Sequence, residues 1–129
     1  MNYPTNFFYT KDHEWAKAEG ADEVTVGITH HAQEALGEIV FVDLPPVGKV
    51  LKEHDTFGVV ESIKAVSDLF SPVAGTVVAV NTSATQETTL VNQSPHEKGW
   101  LIRLKLADKN ALSKLMRVEE YNKLVESLK

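Results

Sequence analysis

Five histidines are the residues of this sequence with the most obvious capacity to bind a metal or transfer protons. They are His13, His30, His31, His54 and His96. They fall in four separate segments, and no two have the i, i+4 spacing with which a helix presents a pair of zinc ligands. The pattern therefore favours ordinary surface histidines and helix caps over a metal centre or an acid–base pair.

The other familiar catalytic patterns are missing from the sequence. There is no cysteine, so the chain has no thiol nucleophile, no thiolate zinc site and no disulfide framework. Neither a Gly-x-Ser-x-Gly nucleophile motif nor a glycine-rich phosphate loop occurs. These absences argue against a small enzyme, and any sulfur chemistry would have to come from a prosthetic group.

Lys64 is the remaining candidate, with Glu61 and Asp68 on either side of it. A lysine on an exposed turn most often only stays hydrated, and flanking carboxylates keep a hairpin soluble and its edge charged. The alternative is that another protein reads these carboxylates. Glu14, beside Trp15, is open to two interpretations in the same way: a solvated strand residue, or a polar group that lines an apolar groove.

A β-hairpin over residues 57–75 is predicted to present Lys64. Two apolar, β-branched runs meet near this lysine, and Pro72 and Gly75 close the second run. No Gly, Asn or Pro occurs in residues 62–67, which disfavours a primed turn and favours a type I turn. Lys64 is therefore expected at the exposed tip of the hairpin.

The chain around this hairpin reads mainly as strands. Alternating or β-branched residues predict strands over residues 7–15, 23–28, 38–44, 76–81 and 100–106. A short helix is predicted over residues 30–36, capped by Thr29 and ended by Gly37. Residues 82–89 are typical of a polar loop.

The C-terminal segment, residues 110–128, changes to a helical period. Helices are predicted over residues 110–116 and 118–128. In the second helix Tyr121, Leu124, Val125 and Leu128 fall on one apolar face. That face is expected to dock on the sheet.

Length and charge limit the classes of partner. With 129 residues, 43% of them hydrophobic, a single domain over residues 1–129 can bury its own core. The net charge of −5 argues against nucleic acid or an anionic membrane as a partner. The N-terminal residues lack the pattern of a signal or transit peptide, and no apolar run approaches membrane-spanning length. A soluble cytoplasmic protein is expected.

Residues 57–75 closely resemble the lipoyl-attachment signature of the glycine cleavage system H protein family. Further segments resemble the same family in the same order along the chain. They are His13-Glu14-Trp15, Val26-Gly27-Ile28-Thr29, residues 32–42, Leu90-Val91-Asn92 and Gly99-Trp100-Leu101. The resemblance thus covers nearly the whole chain, which makes it far more specific than an isolated Glu-Ser-x-Lys would be.

The resemblance implies a mainly β fold, a flattened β-barrel or barrel-sandwich hybrid with peripheral helices. It implies a non-enzymatic carrier whose Lys64 is joined by an amide to lipoate. The arm would take an aminomethyl group from the pyridoxal-phosphate enzyme glycine decarboxylase and deliver it to aminomethyltransferase. Dihydrolipoyl dehydrogenase would then reoxidise the dithiol. Such a transient carrier is expected to be monomeric.

The resemblance also implies roles for four further residues. Glu61 and Gly75 match positions that lipoylating enzymes recognise, and Glu14 and Asp68 match positions of the groove that shelters the loaded arm. The chain departs from the family at Pro95-His96, where Pro-Tyr is common, and none of its departures touches the attachment lysine. A second hypothesis keeps the fold and the arm, and makes the protein a lipoyl donor or relay for 2-oxo acid dehydrogenases.

Overall fold

The computed structural model describes residues 3–128, and within them nine strands form two β-sheets. The strands are β1 Phe8–Tyr9, β2 Glu14–Glu19, β3 Glu23–Ile28, β4 Ile39–Asp43, β5 Val50–Leu51, β6 Thr56–Ser62, β7 Val66–Phe70, β8 Gly75–Val80 and β9 Ile102–Leu106. The helices are α1 His30–Leu36, α2 Thr82–Gln86, α3 Thr89–Gln93 and α4 Val118–Ser127, with a 3₁₀ turn at Ala111–Lys114. The predicted domain of residues 1–129 also includes residues 1, 2 and 129, which lie outside the described range.

The two sheets pack face to face. One has six strands in the order β1-β2-β3-β9-β8-β5 and the other has three in the order β4-β6-β7, all paired antiparallel. Side chains from both sheets share one buried core, among them Val26 and Leu104 from the larger sheet and Val42 and Val60 from the smaller. The predicted mainly β fold, a flattened barrel-sandwich with a short internal helix, is confirmed.

Helix α1 begins and ends where the sequence predicts. The Thr29 hydroxyl accepts a hydrogen bond from the Ala32 N–H at 3.2 Å and so caps the helix. At the other end Gly37 has a φ of 82°, a backbone conformation that residues with a Cβ rarely adopt. Local side-chain chemistry is therefore sufficient to place this helix.

The predicted strand over residues 7–15 is wrong in its extent. It is divided into β1 and the start of β2 by a turn in which His13 has a φ of 67°. The Thr10 hydroxyl accepts the Asp12 N–H at 3.3 Å and the Glu14 N–H at 3.2 Å, so this side chain stabilises the turn. The turn has no Gly or Pro to mark it in the sequence.

The predicted polar loop over residues 82–89 is also wrong, because α2 and the start of α3 lie there. Both helices are only five residues long, and neither has a side-chain cap. Each buries one apolar side chain completely, Ala84 in α2 and Val91 in α3. Tertiary packing rather than helix propensity accounts for such short helices.

At the C-terminus the predicted helix over residues 110–116 is reduced to the 3₁₀ turn, and α4 ends at Ser127. Tyr121 and Val125 are buried as expected, whereas Leu128 is 54% exposed and does not join the docking face. The helix packs on an aromatic cluster that includes Tyr9 of β1 and Trp15 of β2. No helix within residues 3–128 has the length and apolar character needed to cross a membrane.

Candidate functional site

Strands β6 and β7 form a hairpin with Lys64 at its tip. The last cross-strand pair is Glu61 with Val66. The Ser62 N–H donates to the Ala65 carbonyl at 2.8 Å, and the Ser62 hydroxyl accepts the N–H groups of Lys64 and Ala65 at 3.3 and 3.1 Å. Among the described residues, positive φ is confined to positions outside this turn, so a primed turn is excluded as predicted.

The tip rests on the segment between α1 and β4. The Ile63 N–H donates to the Glu38 carbonyl at 3.0 Å. The Lys64 side chain passes over Gly37, where an added Cβ would lie 3.2 Å from Cε and 3.8 Å from Nζ. Lys64 is exposed, and within residues 3–128 its amine forms no ion pair. The amine is therefore accessible and uncommitted.

Apolar side chains surround the tip on its solvent side. Ile63 and Val66 are 70% and 69% exposed, and Phe41 of the neighbouring strand is 48% exposed. The strand register places Phe41, Glu61 and Val66 side by side on one face, so the Glu61 carboxylate lies between two apolar residues. Sequence pattern missed this exposed face, because a run of apolar residues in a strand ordinarily indicates burial.

Asp68 belongs to the next row of the same face. Asp68 of β7 pairs with Val59 of β6, and Val59 pairs on its other side with Asp43 of β4. Both aspartates are exposed. The predicted flanking carboxylates Glu61 and Asp68 thus lie on one surface beside the tip. In this row the two aspartates lie on the edge strands with Val59 between them, whereas in the row nearer the tip Glu61 lies between the apolar residues Phe41 and Val66.

Gly75 lies away from the tip, because the hairpin strands end at Phe70 and Gly75 begins β8 in the other sheet. It pairs with Leu51 on one side and Leu106 on the other. A Cβ at Gly75 would lie 2.5 Å from the Lys105 carbonyl oxygen, a distance that real Cβ atoms do not reach. Close strand packing is therefore one physical reason for glycine at this position.

Glu14 is buried, with 2% of its surface exposed, so its interpretation as a solvated strand residue is wrong. The Thr10 hydroxyl donates to Oε1 at 2.7 Å, and the Phe70 N–H donates to Oε2 at 3.3 Å. Burial raises the pKa of Glu14 to about 7, and the two hydrogen bonds oppose that rise. The carboxyl group can therefore exchange a proton near neutral pH.

The hydrogen bond from the Phe70 N–H connects Glu14 to the hairpin. Phe70 ends β7, which is an edge strand of the three-stranded sheet. Its N–H has no partner in a neighbouring strand, and the Glu14 carboxylate accepts the hydrogen bond from it instead. Asp68 is two positions earlier on β7 and is exposed, whereas Glu14 is not. Within residues 3–128 no hydrogen bond joins the two carboxyl groups. The structure brings both to β7 without forming a carboxylate pair.

Four of the five histidines lie in pairs, and each of the four is partly buried. The His13 and His31 rings lie 4.5 Å apart, and the His13 Nδ1 is 2.8 Å from the Tyr121 hydroxyl. The His30 N–H donates to His96 Nε2 at 3.1 Å, and burial lowers the pKa of His96 to about 4. No group of three metal-ligating side chains occurs within residues 3–128. These histidines support packing between segments.

Comparison with known proteins places this architecture in one family. The family model described as glycine cleavage H-protein matches residues 7–128. A glycine cleavage system H protein of Photorhabdus laumondii is 49% identical over 125 residues, which covers 97% of this chain and 96% of that protein. One from Bacillus cereus strain B4264 is 48% identical over 121 residues, 94% of each chain.

The fold agrees with the sequence match. The crystal structure of a glycine cleavage system H protein from Mycobacterium marinum superposes with a TM-score of 0.88 at 39% identity. The superposition covers 96% of this chain and 99% of that one. The chain therefore belongs to the glycine cleavage H-protein family.

Proposed function

We propose that this chain is the lipoyl carrier of a glycine cleavage system, that residues 1–129 act as one carrier domain, and that Lys64 is the attachment point for lipoate. The observation that carries the proposal is the position of Lys64 at the tip of a hairpin, exposed and without an ion pair within residues 3–128. An amine that must enter another enzyme's active site needs this accessibility. Family membership supports the same role.

The residues around Lys64 fit a lipoyl group. An amide bond between Nζ and the lipoate carboxyl removes the positive charge, so the arm can lie on the apolar side chains of Phe41, Ile63 and Val66. When bound, the group supplies a dithiol that carries the aminomethyl unit and is reversibly oxidised. The chain has no cysteine, so no protein thiol competes for mixed disulfides with the arm.

Four other residues have proposed roles around the arm. The Glu61 carboxylate, between Phe41 and Val66, is a recognition group for the lipoylating enzyme, and Gly75 is a second recognition position. Glu14 and Asp68 serve the loaded arm as groove carboxylates. The proximity of Glu14 to β7, through the Phe70 N–H, supports its part in this role.

The partners follow from the role of a carrier without catalytic groups of its own. Lipoylating enzymes modify Lys64, and glycine decarboxylase, aminomethyltransferase and dihydrolipoyl dehydrogenase then use the arm in turn. Tethering keeps the reactive group at high local concentration for whichever enzyme is docked. The monomeric state and the cytoplasmic location stay predictions, and no finding favours the relay for 2-oxo acid dehydrogenases.

Intact-mass analysis of protein from lipoate-replete cells tests this assignment. We expect one lipoyl adduct on the wild-type chain and none on Lys64→Arg, which keeps the positive charge but cannot form the amide. Lys52→Arg, at another exposed turn, is the matched control and should carry the adduct. An unmodified wild-type chain that still supports reconstituted glycine cleavage would contradict the proposal.

A further inference from the structure

The Asn92 side chain makes three hydrogen bonds that converge on the segment beneath Lys64. Its Oδ1 accepts the Ile39 N–H at 2.9 Å, and its Nδ2 donates to the Gly37 carbonyl at 2.8 Å and to Gln33 Oε1 at 2.9 Å. A backbone donor on one side and a backbone acceptor on the other determine the orientation of the amide. Asn92 therefore links the end of α1 to the start of β4.

Thr88 completes this arrangement four residues earlier in the chain. Its hydroxyl donates to the Ile39 carbonyl at 2.9 Å. Because β4 is an edge strand, the N–H and C=O of Ile39 that point away from β6 have no strand partner. The side chains of Thr88 and Asn92 satisfy both groups, as the backbone of a neighbouring strand would. We call this pair of side chains the edge clamp.

The edge clamp holds the residues that contact the hairpin tip. Gly37 and Ile39, both bonded to Asn92, flank Glu38, whose carbonyl accepts the Ile63 N–H at 3.0 Å. Gly37 is also the residue over which the Lys64 side chain passes. A displacement of residues 37–39 would thus directly displace the tip.

The tip has few other constraints. Residues 63–66 are all exposed, and the hydrogen bonds within the turn, among the described residues, are those of Ser62 with Lys64 and Ala65. Segments with little burial open with small free energies, so an external bond such as that of Ile63 has a large effect on local order.

We propose that Asn92 and Thr88 are positioning residues for lipoylation: by clamping residues 37–39 they hold the Lys64 tip in the geometry that the lipoylating enzyme accepts. The inference rests on the proposed function of Lys64 as the attachment site. It assigns a role to the Leu90-Val91-Asn92 segment, which the attachment of lipoate to Lys64 does not by itself explain.

The chain offers a matched control in Asn81. Its Nδ2 donates to the carbonyls of Lys98 and Trp100 at 2.8 and 2.7 Å, so this side chain likewise ties two segments together. Its bonds are made to the loop before β9 and not to the residues beneath the tip. A loss of stability without a loss of positioning is therefore expected from Asn81→Ala.

The test measures hydrogen exchange at the Ile63 amide by NMR and the kcat/KM of lipoylation of the unmodified chain. In Asn92→Ala we expect the Ile63 amide to exchange roughly tenfold faster or more, and kcat/KM to fall about tenfold. Thr88→Val, which removes one bond, should change both in the same direction by less. Asn81→Ala should leave both close to wild type.

Three results would overturn the proposal. The first is an unchanged Ile63 exchange rate in Asn92→Ala, or in Thr88→Val if the former does not fold. The second is faster exchange with an unchanged kcat/KM. The third is an equal loss of kcat/KM in Asn81→Ala, which would mean that overall stability is responsible. A wild-type chain that is never modified would contradict the proposed function instead, while Ile63 exchange still reports on the clamp.

Discussion

Two titratable side chains, the buried Glu14 and the partly buried His96, have opposite effects on the dependence of stability on pH. Burial raises the pKa of Glu14 from 4.5 to about 7, so between these values the folded chain binds more protons than the unfolded chain. The free energy of unfolding therefore falls as pH rises through that window. Burial lowers the pKa of His96 from 6.5 to about 4, so its contribution rises with pH over nearly the same range.

These opposing effects predict sloping profiles of opposite sign for the two single variants. Burial lowers the pKa of His13 as well, so in Glu14→Gln the contributions of His96 and His13 remain, and the free energy of unfolding should rise from pH 4 to 6.5. In His96→Gln it should fall between pH 4.5 and 7, by up to about 3 kcal/mol. Urea denaturation at each pH measures this. Identical profiles for the two variants would show that these groups do not control the dependence.

Glu61 is the residue with which the proposed recognition by the lipoylating enzyme can be tested separately from folding. It forms no hydrogen bond or ion pair through its side chain within residues 3–128, so Glu61→Ala should change the free energy of unfolding by less than about 0.5 kcal/mol. Loss of a charged contact to the enzyme should lower the kcat/KM of lipoylation about tenfold or more. Ile63→Val and Ala65→Ser, on either side of the lysine, should be modified nearly normally.

Unchanged modification of Glu61→Ala would contradict its proposed recognition role and leave only the proposed attachment at Lys64. Gly75 does not allow so clean a test. A Cβ there would meet the Lys105 carbonyl, so reduced lipoylation of Gly75→Ala would report on packing as well as on recognition.

Among the secondary-structure elements, helix α4 is anchored by one tyrosine to two other parts of the fold. The Tyr121 hydroxyl lies 2.7 Å from Thr29 Oγ1, at the start of α1, and 2.8 Å from His13 Nδ1, in the turn between β1 and β2. Its ring stacks on Tyr9 with a centroid distance of 4.6 Å. Tyr121 thus attaches helix α4 both to the turn that precedes Glu14 and to the start of α1.

Removal of this hydroxyl should weaken the attachment of α4 without disturbing its packing. Tyr121→Phe keeps the ring and leaves Thr29, which is completely buried, with one partner fewer. We expect the free energy of unfolding, measured in urea, to fall by about 1–2 kcal/mol. Tyr9→Phe, which loses only the bond to the Pro4 carbonyl, is the control and should cost less. Equal effects of the two variants would contradict the anchoring role.

For the whole molecule, the proposed modification has a simple electrostatic signature. The chain carries a formal charge of −5, and amide formation at Lys64 removes one positive charge, giving −6. Isoelectric focusing should resolve the lipoylated form as a more acidic band. Lys64→Arg should run as one band at the unmodified position, and a second acidic band in that variant would place the modification elsewhere.

The features of this protein that can be read from its sequence are those that depend on residues close together in the chain. Helix α1 has its cap at Thr29 and its end at Gly37, and the hairpin has its tip at Lys64, because helix caps, strand patterns and turns are short-range features. The motifs spread along the chain likewise indicate the family and the fold class, and they predict Lys64 as the attachment point.

Contacts between segments that are far apart in the chain form only in the folded protein. The burial of Glu14 against Phe70, the pairing of His30 with His96 and the clamp of Asn92 on Ile39 join residues more than 50 positions apart. The short helices α2 and α3 exist because their single buried side chains dock in the core. Such contacts depend on where the two sheets pack, so no local pattern of residues could reveal them.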